Sequence, residues 1–159
     1  MKRFPDAIQH AVSALSCLPG VGPRTALRYV FYLLKLPTHE LDTMARTISA
    51  LGTLVNECGT CYTYCERTRC DICEDPKRDT NVLCVVEAPR DISAIESTGA
   101  FNGRYHVLGG TVNPIEGMIP DVLRVRELLA RSLDEHLTEI ILAFSPDVHG
   151  ETTMLYLTK

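Results

Sequence analysis

The stretch that decides the reading is "CGTCYTYCERTRCDIC", residues 58–73. It holds five cysteines, one more than a tetrahedral metal site needs. Cys58, Cys61, Cys70 and Cys73 stand as two C-x2-C pairs separated by eight residues. Each pair makes a tight knuckle with both thiolates aimed at one centre, and eight residues suffice to bring two knuckles together. Four thiolates around one Zn²⁺ form a closed, structural site with no open position for a catalytic water. Cys65 lies off the pair rhythm and is left out of the ligand set. A thioredoxin-like redox pair is the competing reading. It asks for a single C-x2-C at a helix N-terminus beside a βαβ unit, whereas here two pairs sit in a polar linker too short of apolar residues to bury a core. A metal would staple that linker. Cys17 and Cys84 fall in an apolar helix and an apolar strand, where a free cysteine acts as a small core residue.

Working outward, 159 residues with 45% hydrophobic and 23% charged content are those of a soluble globular chain of one domain or a few small modules. Seven cysteines, an odd number with four in C-x2-C pairs, fit a reducing compartment. No run of about 18 apolar residues exists, so no membrane span is expected. The start "MKRFPDAIQH" breaks at Pro5 and Asp6 and does not read as a signal peptide. The expectation is a cytoplasmic protein. Net charge is −4, distributed unevenly. Residues 1–36 carry Lys2, Arg3, Arg24, Arg28 and Lys35 against Asp6 alone, a net of +4; the other eleven basic and nineteen acidic residues net −8. A basic N-terminal module on an acidic body can meet phosphates locally while the body repels them.

Periodicity divides the chain into helices first and alternating strands and helices after. Ile8, Ala11, Val12, Leu15 and Leu18 recur at helical spacing over 7–18. After "PGVGP", a second helix opens at Pro23 with a stripe of Ala26, Val30, Leu33 and Leu34. Pro37 stops it, and Thr38 is the expected N-cap of a third helix, about 39–56, with a stripe of Leu41, Met44, Ile48, Leu51 and Val55. Past the cysteines, "NVLCVVE" (81–87) reads as a buried strand, "PRDISAIESTG" as a helix ending at Gly99, and "RYHVLGG" as a second strand. "PDVLRVRELLARSL" reads as an amphipathic helix opening at Pro120, "TEIILAF" (138–144) as a third strand, and "GETTMLYLT" as the start of a last helix. This alternation predicts an α/β class: a small parallel sheet covered on both faces behind an all-α module. The expected divisions are 1–56 helical, 57–79 cysteine knuckle and 80–159 sheet domain. One more strand is expected after the last helix, so the sheet domain reads as C-terminally truncated, with one edge left unpaired.

The hairpin "LPGVGPRTALR" joins two helices through P-G-x-G-P and resembles the helix-hairpin-helix DNA-binding motif. Gly20 and Gly22 permit backbone angles closed to other residues and close approach of a partner. The following helix offers free N–H groups and a positive dipole end. Arg24 and Arg28, four apart, share a face beside it. Contacts of this kind read the backbone, so DNA binding through these four residues is expected to be sequence-independent and salt-sensitive. At the sheet, Glu87 ends the first strand, and Asp147 and Glu151 follow the third. The carboxyl ends of parallel strands share one edge, where sites gather. "VVEAPRDISAIESTG" resembles the first motif of the Toprim domain of topoisomerases and primases, whose acidic groups hold magnesium. The second such motif, Asp-x-Asp, reads "SPDVHGE" here, with Ser145 in place of the first acid. A metal held by Glu87 and Asp147 alone would be weak.

The order of parts, and above all "VVEAPRDISAIESTGAFNGRYHVLGGTVNPIEG", resembles the RecR family of bacterial recombination mediators over essentially the whole chain. That resemblance implies a protein that is no enzyme, binds single- and double-stranded DNA weakly, and acts in recombinational repair with RecO and RecF to promote RecA loading at single-stranded gaps. It implies association with the nucleoid and assembly as a dimer or tetrameric ring, which the missing C-terminal segment would impair. It makes Arg24 and Arg28 DNA contacts, and Cys58, Cys61, Cys70 and Cys73 the ligands of one structural zinc. It also makes the acidic edge of Glu87, Asp147 and Glu151 a surface for RecO. The family usually reads "NPTVEGEATA" where this chain has "SPDVHGETTM", so His149 stands in place of a glutamate, and Glu151 is the firmer carry-over. The alternative from the residues themselves is a magnesium-dependent Toprim enzyme that cuts or joins nucleic acid.

Overall fold

Turn chemistry sets where the first helices run. In the computed structural model, which describes residues 4–134 and 136–159, helix α1 spans Asp6–Ser16 and α2 spans Pro23–Leu33. Lys2 and Arg3, counted in the basic segment, lie outside the described residues. Between the helices the Val21 amide donates to the Leu18 carbonyl at 3.0 Å, and Gly20 has φ +77°. Pro19 followed by Gly20 is the residue order that a type II turn demands. Ala26 and Val30 are buried as expected. Leu34, placed on a buried stripe by periodicity, is instead exposed, as is Leu18, which was placed at helical spacing. Leu18 opens the turn, and Leu34 caps the end of α2.

Helix α3 spans Thr38–Leu54. The Pro37 carbonyl accepts from the amides of Glu40 and Leu41, so Pro37 occupies the capping place and Thr38 is the first helical residue, one position from expectation. Its apolar stripe is on the surface: Leu41 is 37% exposed, Met44 45%, Ile48 57% and Leu51 60%. Amphipathicity was legible in the sequence, but no described residue of the first unit covers this face.

The chain forms two compact units that divide between Thr53 and Leu54. The second begins with the short antiparallel strands β1 (Asn56–Glu57) and β2 (Tyr64–Cys65), paired Asn56↔Cys65 and Glu57↔Tyr64. A single helical turn, α4 (Asp71–Glu74), follows. Strands β3 (Val82–Val86), β4 (Arg104–Val107) and β5 (Glu139–Ala143) form a parallel sheet in the order β4-β3-β5. Helices α5 (Pro89–Glu96), α6 (Val125–Asp134) and α7 (Val148–Leu157) complete the unit.

Strand alternation divides the core in two. Leu83 and Val85 point into a cluster with Leu108, Val112, Leu123, Val125 and Leu128, against which Leu142, Phe144 and Leu157 pack. Cys84 and Val86 point the other way, to Ile92, Tyr105 and Val107. A strand apolar on both faces is what a parallel sheet covered by helices requires, and Cys84 is the small core residue expected. The helix read as opening at Pro120 begins later. Pro120–Val122 is a short 3₁₀ turn, Leu123 is extended and buried, and the Arg124 amide donates to the Leu108 carbonyl at 2.9 Å before α6 starts. Burying Leu123 and satisfying the end of β4 interrupt the helical pattern.

The linker behind the knuckle is locked by Arg78. Its guanidinium grips the Glu96 carboxylate and donates to the carbonyls of Phe101 and Gly103. Glu96 also accepts from the Tyr105 hydroxyl at 2.6 Å. The Arg78 contact, and then the tyrosine, hold Glu96 below the usual carboxylate range.

His106 on β4 is fully buried. Its Nε2 meets the Arg124 carbonyl at 2.9 Å, its ring stacks edge-on against Tyr62, and its Nδ1 has no partner. Burial, with the charges of Arg131 and Arg124 adding to it, pushes its pKa from 6.5 down to about 4, although the Arg124 carbonyl opposes the shift. The unfolded chain therefore binds this proton first. The associated stability is complete above about pH 6.5 and is lost as pH falls toward 4, worth roughly 3 kcal/mol at about 1.4 kcal/mol per pH unit. Thermal melts at pH 7 and pH 4.5 should differ less in His106→Gln than in the unsubstituted chain; an equal difference would contradict this assignment.

Candidate metal centre and nucleic-acid interface

The two C-x2-C pairs converge. Cys58, Cys61, Cys70 and Cys73 are each no more than 6% exposed, and their sulfurs all lie within 4.8 Å of one another. Cys61 Sγ and Cys70 Sγ are 3.4 Å apart, and all four cysteines are free of disulfides. Metal–sulfur bonds of about 2.3 Å place tetrahedral sulfurs roughly 3.8 Å apart, so the donor set fits one soft divalent ion.

The backbone prepares the site. The Cys58 amide donates to Thr63 O at 2.7 Å, the Tyr62 amide to Cys58 O at 3.0 Å, and the Gly59 amide to Thr68 O at 3.0 Å. Tyr62 takes the left-handed φ of +65° that closes the first knuckle. The Cys70 amide donates to Cys58 Sγ at 3.3 Å. Burial pushes the Cys58 thiol up, but the amides of Cys61, Cys70 and Thr60 outweigh it and the net shift is downward. A hydrogen bond with Cys61 holds Cys73 at about 6 despite burial, and the same bond drives Cys61 up. Burial raises Cys70 to about 11. Four thiols this close cannot all ionise unaided, and a divalent cation removes that obstacle.

Cys65 stands apart from the converging set, as its spacing predicts. It is half-buried, packs against the four-thiol cluster, and its thiol donates to Arg67 O at 2.8 Å.

Sequence reasoning missed the residues that fasten the knuckle to the sheet. The Val107 amide donates to Cys61 O at 2.8 Å. Arg131 spans the joint, donating to Tyr105 O at 2.8 Å and Thr60 O at 3.2 Å. Arg124 pairs with Glu57 at 2.5 Å and lies 4.7 Å over the Tyr62 ring. Arg124 and Arg131 are seven residues apart, two helical turns, and that spacing was the available signal.

At the hairpin, Gly20 and Gly22 are exposed, and a side chain built on either would meet nothing within 4 Å. Gly20 needs its glycine for the positive φ. Gly22, at φ −80° and ψ 168°, caps α2 in an extended conformation open to any residue, which corrects the expectation that both need unusual angles. Pro23 begins α2, and Arg24 and Arg28 are exposed on its first two turns. Arg28 lies 5.7 Å from the Tyr29 ring, and among the described residues no carboxylate pairs with either arginine.

At the sheet edge, Glu87, Glu116, Asp147 and His149 line a cleft of about 340 Å³ with Thr111 and Asn113, whose buried Oδ1 has no partner. Glu151 is not among its lining residues. Asp147 caps α7, its Oδ1 accepting from the Gly150 amide at 2.8 Å. Gly150 is required, because a Cβ there would lie 2.0 Å from Ser145 O. Among the described residues only the four cysteines bring three or more ligand atoms together, so Glu87, Asp147 and Glu151 do not converge. Asp91 of the "PRD" motif is likewise a cap, accepting from the Ala88 amide at 2.8 Å.

Comparison with known proteins agrees with these parts. Residues 8–51 match the family model described as RecR, helix-hairpin-helix, and residues 81–159 match the Toprim domain. A protein of Desulforapulum autotrophicum named Recombination protein RecR is 44% identical over 158 residues, covering 99% of this chain and 79% of that protein. Proteins of the same name from Thermobifida fusca and Moorella thermoacetica are 46% and 44% identical over 156 residues, covering 98% of this chain and 78% of each. The chain belongs to the RecR family. The RecR helix-hairpin-helix match takes in α2 and most of α1 and α3, the Toprim match runs from just before β3 through α7, and the four-cysteine knuckle lies between them.

Because the knuckle has no apolar core beyond its own sulfurs and Ile72, its order should depend on the metal. Cys73→Ser should cost on the order of 3 kcal/mol, a fall in Tm of roughly 10 °C. Circular-dichroism melts with and without a strong chelator check this; a melt unmoved by either change would contradict it.

Proposed function

We propose that this RecR-family chain is a DNA-binding recombination mediator, a clamp without catalytic activity that acts in recombinational repair. In this reading it works with RecO and RecF to promote RecA loading on single-stranded gaps. The observation that carries it is the turn Pro19–Pro23, exposed except at the half-buried Val21, with unpaired Arg24 and Arg28 on the helix it opens. A helix N-terminus flanked by arginines suits phosphates of single- or double-stranded DNA and reads no bases. The functional parts are residues 1–56 for DNA, 57–79 for a structural zinc held by Cys58, Cys61, Cys70 and Cys73, and 80–159 as a Toprim scaffold. Zinc is favoured over other ions because four thiolates without an open position suit its tetrahedral preference. The acidic edge of Glu87, Asp147 and Glu151 is the proposed surface for RecO.

Homo-oligomerisation supplies what one module lacks. A single segment of net +4 holds phosphates weakly, whereas several in a dimer or ring act together by effective concentration. The uncovered stripe of Leu41, Met44, Ile48 and Leu51 on α3 supports such assembly. Magnesium-dependent cleavage or joining of DNA is less well supported, since Asp147 is engaged as a cap and the carboxylates do not converge.

Arg24→Ala and Arg28→Ala should each weaken binding of an unspecific oligonucleotide several-fold, and together should reduce the salt dependence by about two phosphate contacts. Fluorescence anisotropy over a salt series reads both, and unchanged affinity in the double variant would refute the hairpin contact. Ile48→Glu with Leu51→Glu should lower the solution mass measured by light scattering; an unaltered mass would remove α3 from the assembly interface.

A further inference from the structure

We propose that Cys65 is a reserve ligand of the knuckle, able to take the place of Cys58 on the metal when that thiol is lost. This rests on the metal reading above. The hairpin that carries Cys58 also carries Cys65: β1 and β2 pair Asn56 with Cys65, two residues before Cys58. The Cys58 amide is bonded to Thr63 on the same turn. The Cys65 side chain packs against the four buried thiols although its sulfur lies outside their converging set. Its thiol donates one hydrogen bond, to Arg67 O at 2.8 Å, the kind of weak contact a thiol makes. Beside it lies a cavity of about 290 Å³, lined by Tyr64, Cys65, Glu66, Arg67 and Cys70 among others, that leaves room for its side chain to turn.

The exchange balances simply. The metal bond of Cys58 is absent once that thiol is blocked or replaced; the Cys65 S–H would lose its proton to solvent, give up its contact to Arg67 O, and form the fourth thiolate–metal bond. The site again holds four thiolates and keeps its charge. A serine at position 58 offers only a hard oxygen, so a soft divalent ion selects the Cys65 sulfur over it. A knuckle with such a reserve keeps its metal after one ligand is chemically blocked.

Cobalt(II), added alone to the metal-stripped full chain, reports the number of thiolates through the intensity of its sulfur-to-metal charge-transfer band. The unsubstituted chain and Cys65→Ser should both show the four-thiolate band. Cys58→Ser should keep that intensity, while Cys58→Ser with Cys65→Ser should fall to about three quarters of it and bind at least about tenfold more weakly. Equal intensity and affinity in the single and double variants would overturn the proposal. Cys58→Ala, which lacks the serine oxygen, repeats the comparison, and failure of both single variants to bind cobalt would overturn it as well. An unsubstituted chain without a four-thiolate band would instead refute the metal centre itself, a result distinguishable from failure of the reserve.

Discussion

Four sulfurs confined within 4.8 Å of one another are the constraint on which the C-terminal unit depends. Thiols packed so tightly resist joint ionisation, and buried as they are they gain little from water. One divalent cation would resolve both difficulties. It would also close a segment whose own residues, "ERTR" and "EDPKRD" among them, are too polar to form a core. With a metal on these four thiols the linker can be short, charged and ordered, because metal–ligand bonds would stand in place of hydrophobic packing.

The consequences reach the sheet through identifiable bonds. Cys61 accepts from the Val107 amide, so a carbonyl of the first knuckle is tied to the end of β4. Arg131 and Arg124 bring α6 and the segment before it onto Thr60, Glu57 and Tyr62. Arg78, a few residues past the last cysteine, ties the exit of the knuckle to α5 through Glu96. The knuckle is thus fastened at its entry, its middle and its exit. That arrangement suits a scaffold better than a redox centre, whose cysteines need access and freedom to change partner.

Elements with a strong local signal were legible in the sequence. A continuous apolar run placed β3 to within a residue, because both of its faces are apolar. Pro23 marked the start of α2, and C-x2-C spacing named the four converging cysteines without any tertiary information. The misses depended on bonding that periodicity does not report, in one case to a partner distant along the chain and in others to a neighbour three residues away. Leu123 leaves the helical pattern because the Arg124 amide is needed by the Leu108 carbonyl. Asp147 and Asp91 read as site acids or motif residues, yet both have capping roles that only the local fold reveals. The stripe on α3 was correctly read as apolar, and its exposure lay beyond the sequence, since periodicity reports a face and not what covers it.

The four cysteines are proposed to hold one zinc ion that organises the unit around them. X-ray absorption at the zinc edge of the purified chain tests it most directly. Four sulfur scatterers at about 2.3 Å, with one zinc per chain, is the result this account predicts. A first shell containing nitrogen or oxygen in place of any sulfur, or a chain purified with intact thiols and no zinc, would contradict it.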